Sequence, residues 1–375
     1  MSSTLILIVV LLYEVVSIGG VALYLTLKER KARKAAAEHP ADNDDFLTAG
    51  RTMSWPVLGC SLALGVLGTV KIFGIMEQAW NVGTLVAWFS IATVFPLVAI
   101  SLGTGRWARR MKVASMPELL YKLFGDKIRV VCCGVLAMQT FITLSLETQG
   151  LGIIFNALTR GTLSITQGAI VGGIIGIAYV IVAGMKEMGA VNVINSVVMY
   201  IALIAAALCL GGIVPGGWDS FTEYFVSSGQ AQALSFWGTP STFFAFAINN
   251  ILALTFAQGI SQMGLQPAMA AKDERHIKKA LWLSGPINGV FGLLTMAIGM
   301  VGKYMVETGQ MELSTVNAKN AGAMLMVEYL PGWVTALLLA AFLGAILSTF
   351  AVTSLGCGAL FTNNIWIAKY PNATP

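Results

Sequence analysis

SLALGVLGTVKIFG, Ser61 to Gly74, lies inside a long apolar run and holds three glycines, Gly65, Gly68 and Gly74, and one base, Lys71. A lysine at the centre of a membrane helix costs about 2.5–3.5 kcal/mol on insertion scales, so Lys71 should face the protein interior or a watery cavity. Glycine at this density lets a helix open and present its carbonyls. It equally lets two helices approach closely through small residues. The residues alone leave both readings open.

Outward from this stretch, apolar runs recur along the whole chain. Of 375 residues 56% are hydrophobic and 11% charged, and the mean hydropathy is +0.76. A soluble domain carries about 25% charge, so the solvent here is lipid. A bilayer core needs about 20 apolar residues per helix, and lipid cannot satisfy exposed backbone groups. The reading is an all-α polytopic membrane protein with about nine transmembrane helices, roughly 5–27, 55–78, 82–103, 128–158, 164–184, 190–214, 242–266, 280–304 and 333–365. A short amphipathic helix opened by Pro117 is expected over Ser115 to Phe124, at the inner surface.

The first run is too long for a signal peptide, contains Glu14, and is followed by Lys28, Arg30, Lys31, Arg33 and Lys34, so it reads as a helix. If the amino terminus is outside, the cytoplasmic segments and their edges hold 19 of the 23 Lys and Arg, leaving Arg160, Lys303 and Lys319 opposite. The basic-residue rule therefore orients the amino terminus outward, and a bacterial plasma membrane is the expected setting. The organisation expected is an extra helix with its basic flank (1–34), a cytoplasmic linker (35–54) with Asp42, Asp44 and Asp45, a helical unit over 55–214, an external loop (215–241) and further helices over 242–375. A second external connection covers 305–332.

The net charge of +5 describes cytoplasmic loops; with no basic soluble domain, nucleic acid is not an expected partner. Cys60, Cys132, Cys133, Cys209 and Cys357 are odd in number, match no metal-site spacing, and read as packing residues. His39 and His276 fall in cytoplasmic segments, and no Asp falls inside a span, which removes the usual intramembrane haem, zinc, aspartyl and Ser–His sites. Neither an enzyme nor a resident cofactor is expected.

Chemistry must then come from polar residues that lipid would penalise. Glu14, Lys71 and Glu147 are the charged ones. The seventh span concentrates Asn249, Asn250, Gln258, Ser261 and Gln262 around Gly259, and these either bond neighbouring helices or line a path. Lys71, Glu147, Asn249, Gln258 and Gln262 are the candidates to meet a substrate. The ninth span carries Ser348–Thr349 and Thr353–Ser354, whose hydroxyls commonly bond back to their own helix.

Five stretches together resemble one family: DFLTAGRTMSWPVLGCSLAL from Asp45, VASMPELLYKLFG from Val113, AGMKEMGAVNVINSVVM from Ala183, LQPAMAAKDERHIKKA from Leu265 and LGAILSTFAVTSLGCGALFTNNI from Leu343. In this order they are similar to the sodium:solute symporter family of organic-solute carriers. The resemblance implies a leucine-transporter-like core of two inverted five-helix repeats behind an extra first helix, with the first helix of each repeat broken around the substrate. On that plan spans two to six form the first repeat and spans seven to nine begin the second, whose last two helices are lacking. It also implies a sodium site made by the carbonyls of Leu64, Leu67 and Ala345 and the hydroxyls of Ser348 and Thr349. Neutral oxygens suit a hard cation that must leave again.

The chain departs from the family at Val66, where many members carry Asn or Asp, at Asn192, where they carry Asp, and at Lys71, where they offer a neutral polar group. Lys71 has three partners available: a substrate carboxylate, Glu147, or Glu77. Glu77 lies roughly 120° around the same helix and is discounted. An internal Lys71–Glu147 pair is the expectation. The leading functional reading is sodium-coupled symport of a small organic solute by alternating access, with the solute, sodium and the lipid bilayer as partners. The alternatives are a membrane sensor module on the same fold, or a carrier in which Lys71 replaces sodium coupling. A channel ranks below these, since nothing reads as a selectivity filter.

Overall fold

The helix that opens at Trp55 stops after ten residues, and the rest of the bundle is arranged around that interruption. The computed structural model describes residues 1–35, 48–113, 115–182, 184–312 and 318–362, together with 366 and 369. The linker bearing His39, Asp42, Asp44 and Asp45, the side chains of the basic cluster from Lys28 to Lys34, and most of the tail from Asn363 lie outside the described residues.

The helices are α1 (Ser3–Ala35), α2 (Trp55–Leu64), α3 (Thr69–Val82), α4 (Ala87–Ala92), α5 (Val94–Ala99), α6 (Gly105–Arg110), α7 (Met116–Phe124), α8 (Asp126–Leu158), α9 (Ile165–Val182), α10 (Met185–Ile213), α11 (Gly217–Ser227), α12 (Asn249–Gly259), α13 (Gln262–Met269), α14 (Glu274–Glu307), α15 (Ala318–Glu328) and α16 (Gly332–Phe361). Among the described residues the only extended pairing is one parallel bridge, Met53 to Ala271. The all-helical expectation holds.

Among the described residues seven helical stretches are long and apolar enough to cross a bilayer. The difference from the nine spans read in the sequence has local causes. The stretch 55–78 is divided, leaving α2 with ten residues, and α9 is a shorter apolar helix. After α3 the chain turns at Gly83, whose φ is 62°, and a Cβ there would stand 2.2 Å from the Ala233 carbonyl oxygen, so only glycine fits. The next crossing is built in pieces, α4, α5, a π-turn over Ile100–Thr104, and α6.

The two connections expected as external loops contain α11 and α15. In α11, Phe221 and Phe225 lie four residues apart on one buried face, and the Phe221 ring packs 5.6 Å from that of Tyr304. The short helix expected over 115–124 is α7; the Ser115 hydroxyl accepts from the Glu118 amide at 3.3 Å, a side-chain N-cap.

α16 is buried along nearly its whole length, with α1, α8 and α10 packed around it, while α14 packs on α2 and α3. The outward faces of α8, α9, α10 and α12 present Phe141, Ile181, Leu208 and Phe256, large apolar side chains that lipid accepts without cost.

Two helices are interrupted. The first break covers Gly65 to Gly68, between α2 and α3; the second falls at Ile260–Ser261, between α12 and α13. The chain just before α2 is tied to the chain just after α13: the Met53 amide donates to the Ala270 carbonyl at 3.0 Å, and the Lys272 amide to the Met53 carbonyl at 3.0 Å. Arg109 adds a guanidinium bond to the Ala271 carbonyl at 2.6 Å.

Glu147 supports the first break from α8. Its carboxylate accepts from the Thr69 amide at 2.9 Å and from the Thr69 hydroxyl at 3.0 Å, and so caps the amino terminus of α3. An anion there satisfies a donor the helix cannot and meets the positive end of its dipole. Gly68 makes room: a Cβ at that position would lie 2.1 Å from Glu147 Oε1. Gly68→Ala should therefore push the cap away and lower thermal stability by about 1–2 kcal/mol. Gly74→Ala, whose Cβ would meet nothing nearer than Val70 Cγ1 at 3.6 Å, should leave the melting temperature of the purified protein close to the parent's. Equal melting temperatures for the two variants would contradict the capping role.

Candidate ion and solute site

Opening a helix costs hydrogen bonds and frees carbonyls. Across the first break the Leu67 amide still donates to the Leu64 carbonyl at 3.0 Å, but among the described residues the Leu67 carbonyl receives no hydrogen bond. α16 passes beside this point. The Thr349 hydroxyl lies 2.9 Å from the Leu64 carbonyl and 3.2 Å from that of Ala345, so it bridges the broken helix and its own helix. Ser348, one residue before, is completely buried, and its hydroxyl has no partner among the described residues. A buried unsatisfied hydroxyl costs about 1–3 kcal/mol, so it needs a reason.

Thus Leu64, Ala345 and Thr349 are brought into direct contact, with the orphaned Ser348 Oγ next along the helix. The neighbourhood is neutral. All the groups offered are oxygens, and none is a carboxylate.

Asn192 stands where the family pattern places an acid. It is fully buried; its amide nitrogen reaches the Ser61 hydroxyl at 3.5 Å, and its carbonyl oxygen has no partner among the described residues. Asn195, one turn on, accepts from Tyr13 of α1 at 2.7 Å. This ties the extra first helix to α10. Glu14 beside Tyr13 is buried as well, with neither carboxylate oxygen bonded to a described residue.

The expected Lys71–Glu147 pair does not form. Glu147 is committed to Thr69, while the Lys71 amine donates to the Thr93 hydroxyl at 2.8 Å and to the side-chain carbonyl of Asn288. The reason is azimuth: Thr69 faces α8, whereas Lys71, two residues on and about 200° around the helix, faces α14.

On the α8 side of α3 lies a cavity of about 290 Å³. Thr69, Phe73 and Gln78 of α3 line it, with Phe89 of α4, Gln149 of α8, and Phe246 and Asn250 from the stretch entering α12. Glu77 is a further lining residue, and among the described residues no cationic side chain lines it.

None of the five residues expected to meet a substrate lines this cavity. Lys71 points away; Glu147 caps the helix next to Thr69; Asn249 is exposed beside Asn250; Gln258 lies at the second break, its backbone carbonyl accepting from Ser261; Gln262 accepts from the Met116 amide at 2.7 Å and donates to Gln266 at 2.5 Å. The groups the sequence reading passed over are Thr93, Asn288, Phe73 and Gln149. Asn288 carried a signal, an amide inside an otherwise apolar span; the aromatic residues carried none, since a ring in a membrane helix is ordinary.

This geometry has counterparts among known proteins. A family model described as "Sodium:solute symporter family" matches residues 46–374. Sodium-coupled monocarboxylate transporter 2 of Homo sapiens is 22% identical over 283 residues, 75% of this chain and 44% of that one. The Sodium/iodide cotransporter of Homo sapiens is 25% identical over 355 residues, 92% of this chain and 53% of that one. The chain therefore spans about half the length of the curated relatives it matches. A solved structure, "Substrate-bound outward-open state of a Na+-coupled sialic acid symporter reveals a novel Na+-site", superposes with a TM-score of 0.78 at 16% identity, covering 99% of this chain and 76% of that one. That likeness is one of fold. A family match over most of the chain, on a helical fold with two interrupted helices, places this integral membrane protein in the sodium:solute symporter family.

Proposed function

We propose that the protein carries out sodium-coupled symport of a small organic solute by alternating access, with sodium held by Leu64, Leu67, Ala345, Ser348 and Thr349. The observation that supports this most is the completely buried, unpartnered Ser348 hydroxyl beside a Thr349 hydroxyl that already touches two of the other oxygens. Sodium entering here exchanges the Thr349–Leu64 hydrogen bond for ion–oxygen contacts, and so joins α16 to the open end of α2. Only a state in which the two helices are adjacent gains that energy, which is how an ion biases a conformational equilibrium.

The solute occupies the cavity between α3 and α8. Its walls offer rings from Phe73, Phe89 and Phe246 and hydrogen-bonding groups from Gln78, Gln149 and Asn250. With Glu77 in the lining and no cation among the described lining residues, an anion would be desolvated without compensation. The solute is accordingly neutral or cationic, unlike the monocarboxylate and iodide in the names of the two relatives given above. The amino terminus faces outward, which puts the Arg106, Arg110 and Glu274 cluster at the inner surface.

Sodium chloride should raise the melting temperature of the purified protein above choline chloride at equal ionic strength. Ser348→Ala with Thr349→Ala should raise the half-saturating sodium concentration at least about tenfold, the equivalent of 1.4 kcal/mol; an unchanged value would remove sodium from these residues. In sodium buffer, neutral or amine-bearing solutes from a screening panel should add further stabilisation and their carboxylate analogues should not; a stabilising carboxylate would contradict the cavity assignment. Single cysteines at Lys278 and Ser228, with native thiols replaced, should label with impermeant maleimide from opposite sides, and labelling of both from outside intact cells would overturn the orientation.

A further inference from the structure

Lys71 is 2% exposed and, among the described residues, makes no ion pair. Its surroundings are ordered in detail. Thr93 gives its hydroxyl proton to the Ser90 carbonyl at 2.6 Å, so a lone pair is what it turns toward the Lys71 amine at 2.8 Å. Asn288 gives its amide protons to the Ser284 carbonyl at 3.1 Å and the Ala63 carbonyl at 3.3 Å, which fixes its own side-chain oxygen toward the same amine. Thr93 and Asn288 are both 0% exposed. The nearby acid, Glu147, is spent on Thr69.

Two pre-set neutral oxygens, from the α4–α5 junction and from α14, therefore converge on one positive group. That is the ligand chemistry of a monovalent-cation site. A buried charge without a counter-ion is expensive, and an apolar side chain of similar length would fill the same space at lower cost. What the lysine supplies and such a side chain does not is a cationic head whose N–H donors meet both oxygens.

We propose that Thr93 and Asn288 form a second cation site, separate from the one at Ser348 and Thr349, whose occupant is the chain's own Lys71 ammonium. The site spans the first break, because Lys71 lies in α3 while Asn288 also bonds Ala63 in α2. The tethered cation holds both half-helices against α14 permanently, and leaves the α16 contact to an ion that comes and goes. Deleting the lysine side chain opens the site to a small free cation.

The test uses purified protein in sodium-free choline chloride, so that the Ser348–Thr349 reading does not enter. Lys71→Ala should melt below the parent, and methylammonium chloride at matched ionic strength should raise it saturably, by at least about 3 °C at excess ligand, with no such shift in the parent. Lys71→Met should stay low and should not respond. Asn288→Asp, which places a carboxylate on the ammonium, should be at least as stable as the parent despite losing its amide bonds. The proposal is overturned if Lys71→Met matches the parent, if methylammonium leaves Lys71→Ala unmoved, or if Asn288→Asp is strongly destabilised; the Asn288→Asp result decides should Lys71→Ala fail to fold.

Discussion

A helix that opens inside a membrane needs its freed backbone groups satisfied by something other than lipid. Here the donor side of the first break is met by the Glu147 carboxylate on Thr69, and the acceptor side is left facing α16. Both assignments depend on α8 meeting the α3 end, and α16 the α2 end, of the same four residues, Gly65 to Gly68. Anion to the helix amino terminus and cation-seeking oxygens to the carbonyl end is the arrangement the backbone dipoles favour. The proposed sodium site follows from where those carbonyls were freed.

The same economy explains the placing of the polar residues. Glu147 and Thr349 reach the broken helix from neighbouring helices while Lys71 leaves it in another direction, and each takes a different class of partner: backbone donor, backbone carbonyl, neutral side-chain oxygen. Crowding them onto one face would have paired Lys71 with Glu147 and silenced both. Gly150, where a Cβ would stand 1.9 Å from the Thr69 hydroxyl, is what lets α8 come close enough for Glu147 to cap.

Much of this was legible in the chain. Hydropathy located most of the crossings, the glycines from Gly65 to Gly74 allowed a break that the family resemblance implied, and the Gln258 to Gln262 concentration fell on the second break. What composition could not supply was direction. Lys71 and Glu147 are the two charges of the inner spans, and pairing them by elimination ignored that Thr69 and Lys71 face different neighbours. The crossing count suffered for the related reason that hydropathy sees residues and not turns, so the Gly83 corner and the ten-residue α2 were invisible to it. Helices α11 and α15 were missed although the Phe221 and Phe225 spacing was available, because a polar connection was assumed to be irregular.

The central claim is that the acceptor side of the break holds an exchangeable ion. Thallium is a monovalent stand-in for sodium with a strong anomalous signal, and a crystal of the protein grown in thallium acetate would locate it directly. The account predicts an anomalous peak bracketed by the Leu64 and Ala345 carbonyls and the Ser348 and Thr349 hydroxyls, suppressed by competing sodium. Thallium bound only elsewhere, or none at a concentration that stabilises the protein, would contradict it.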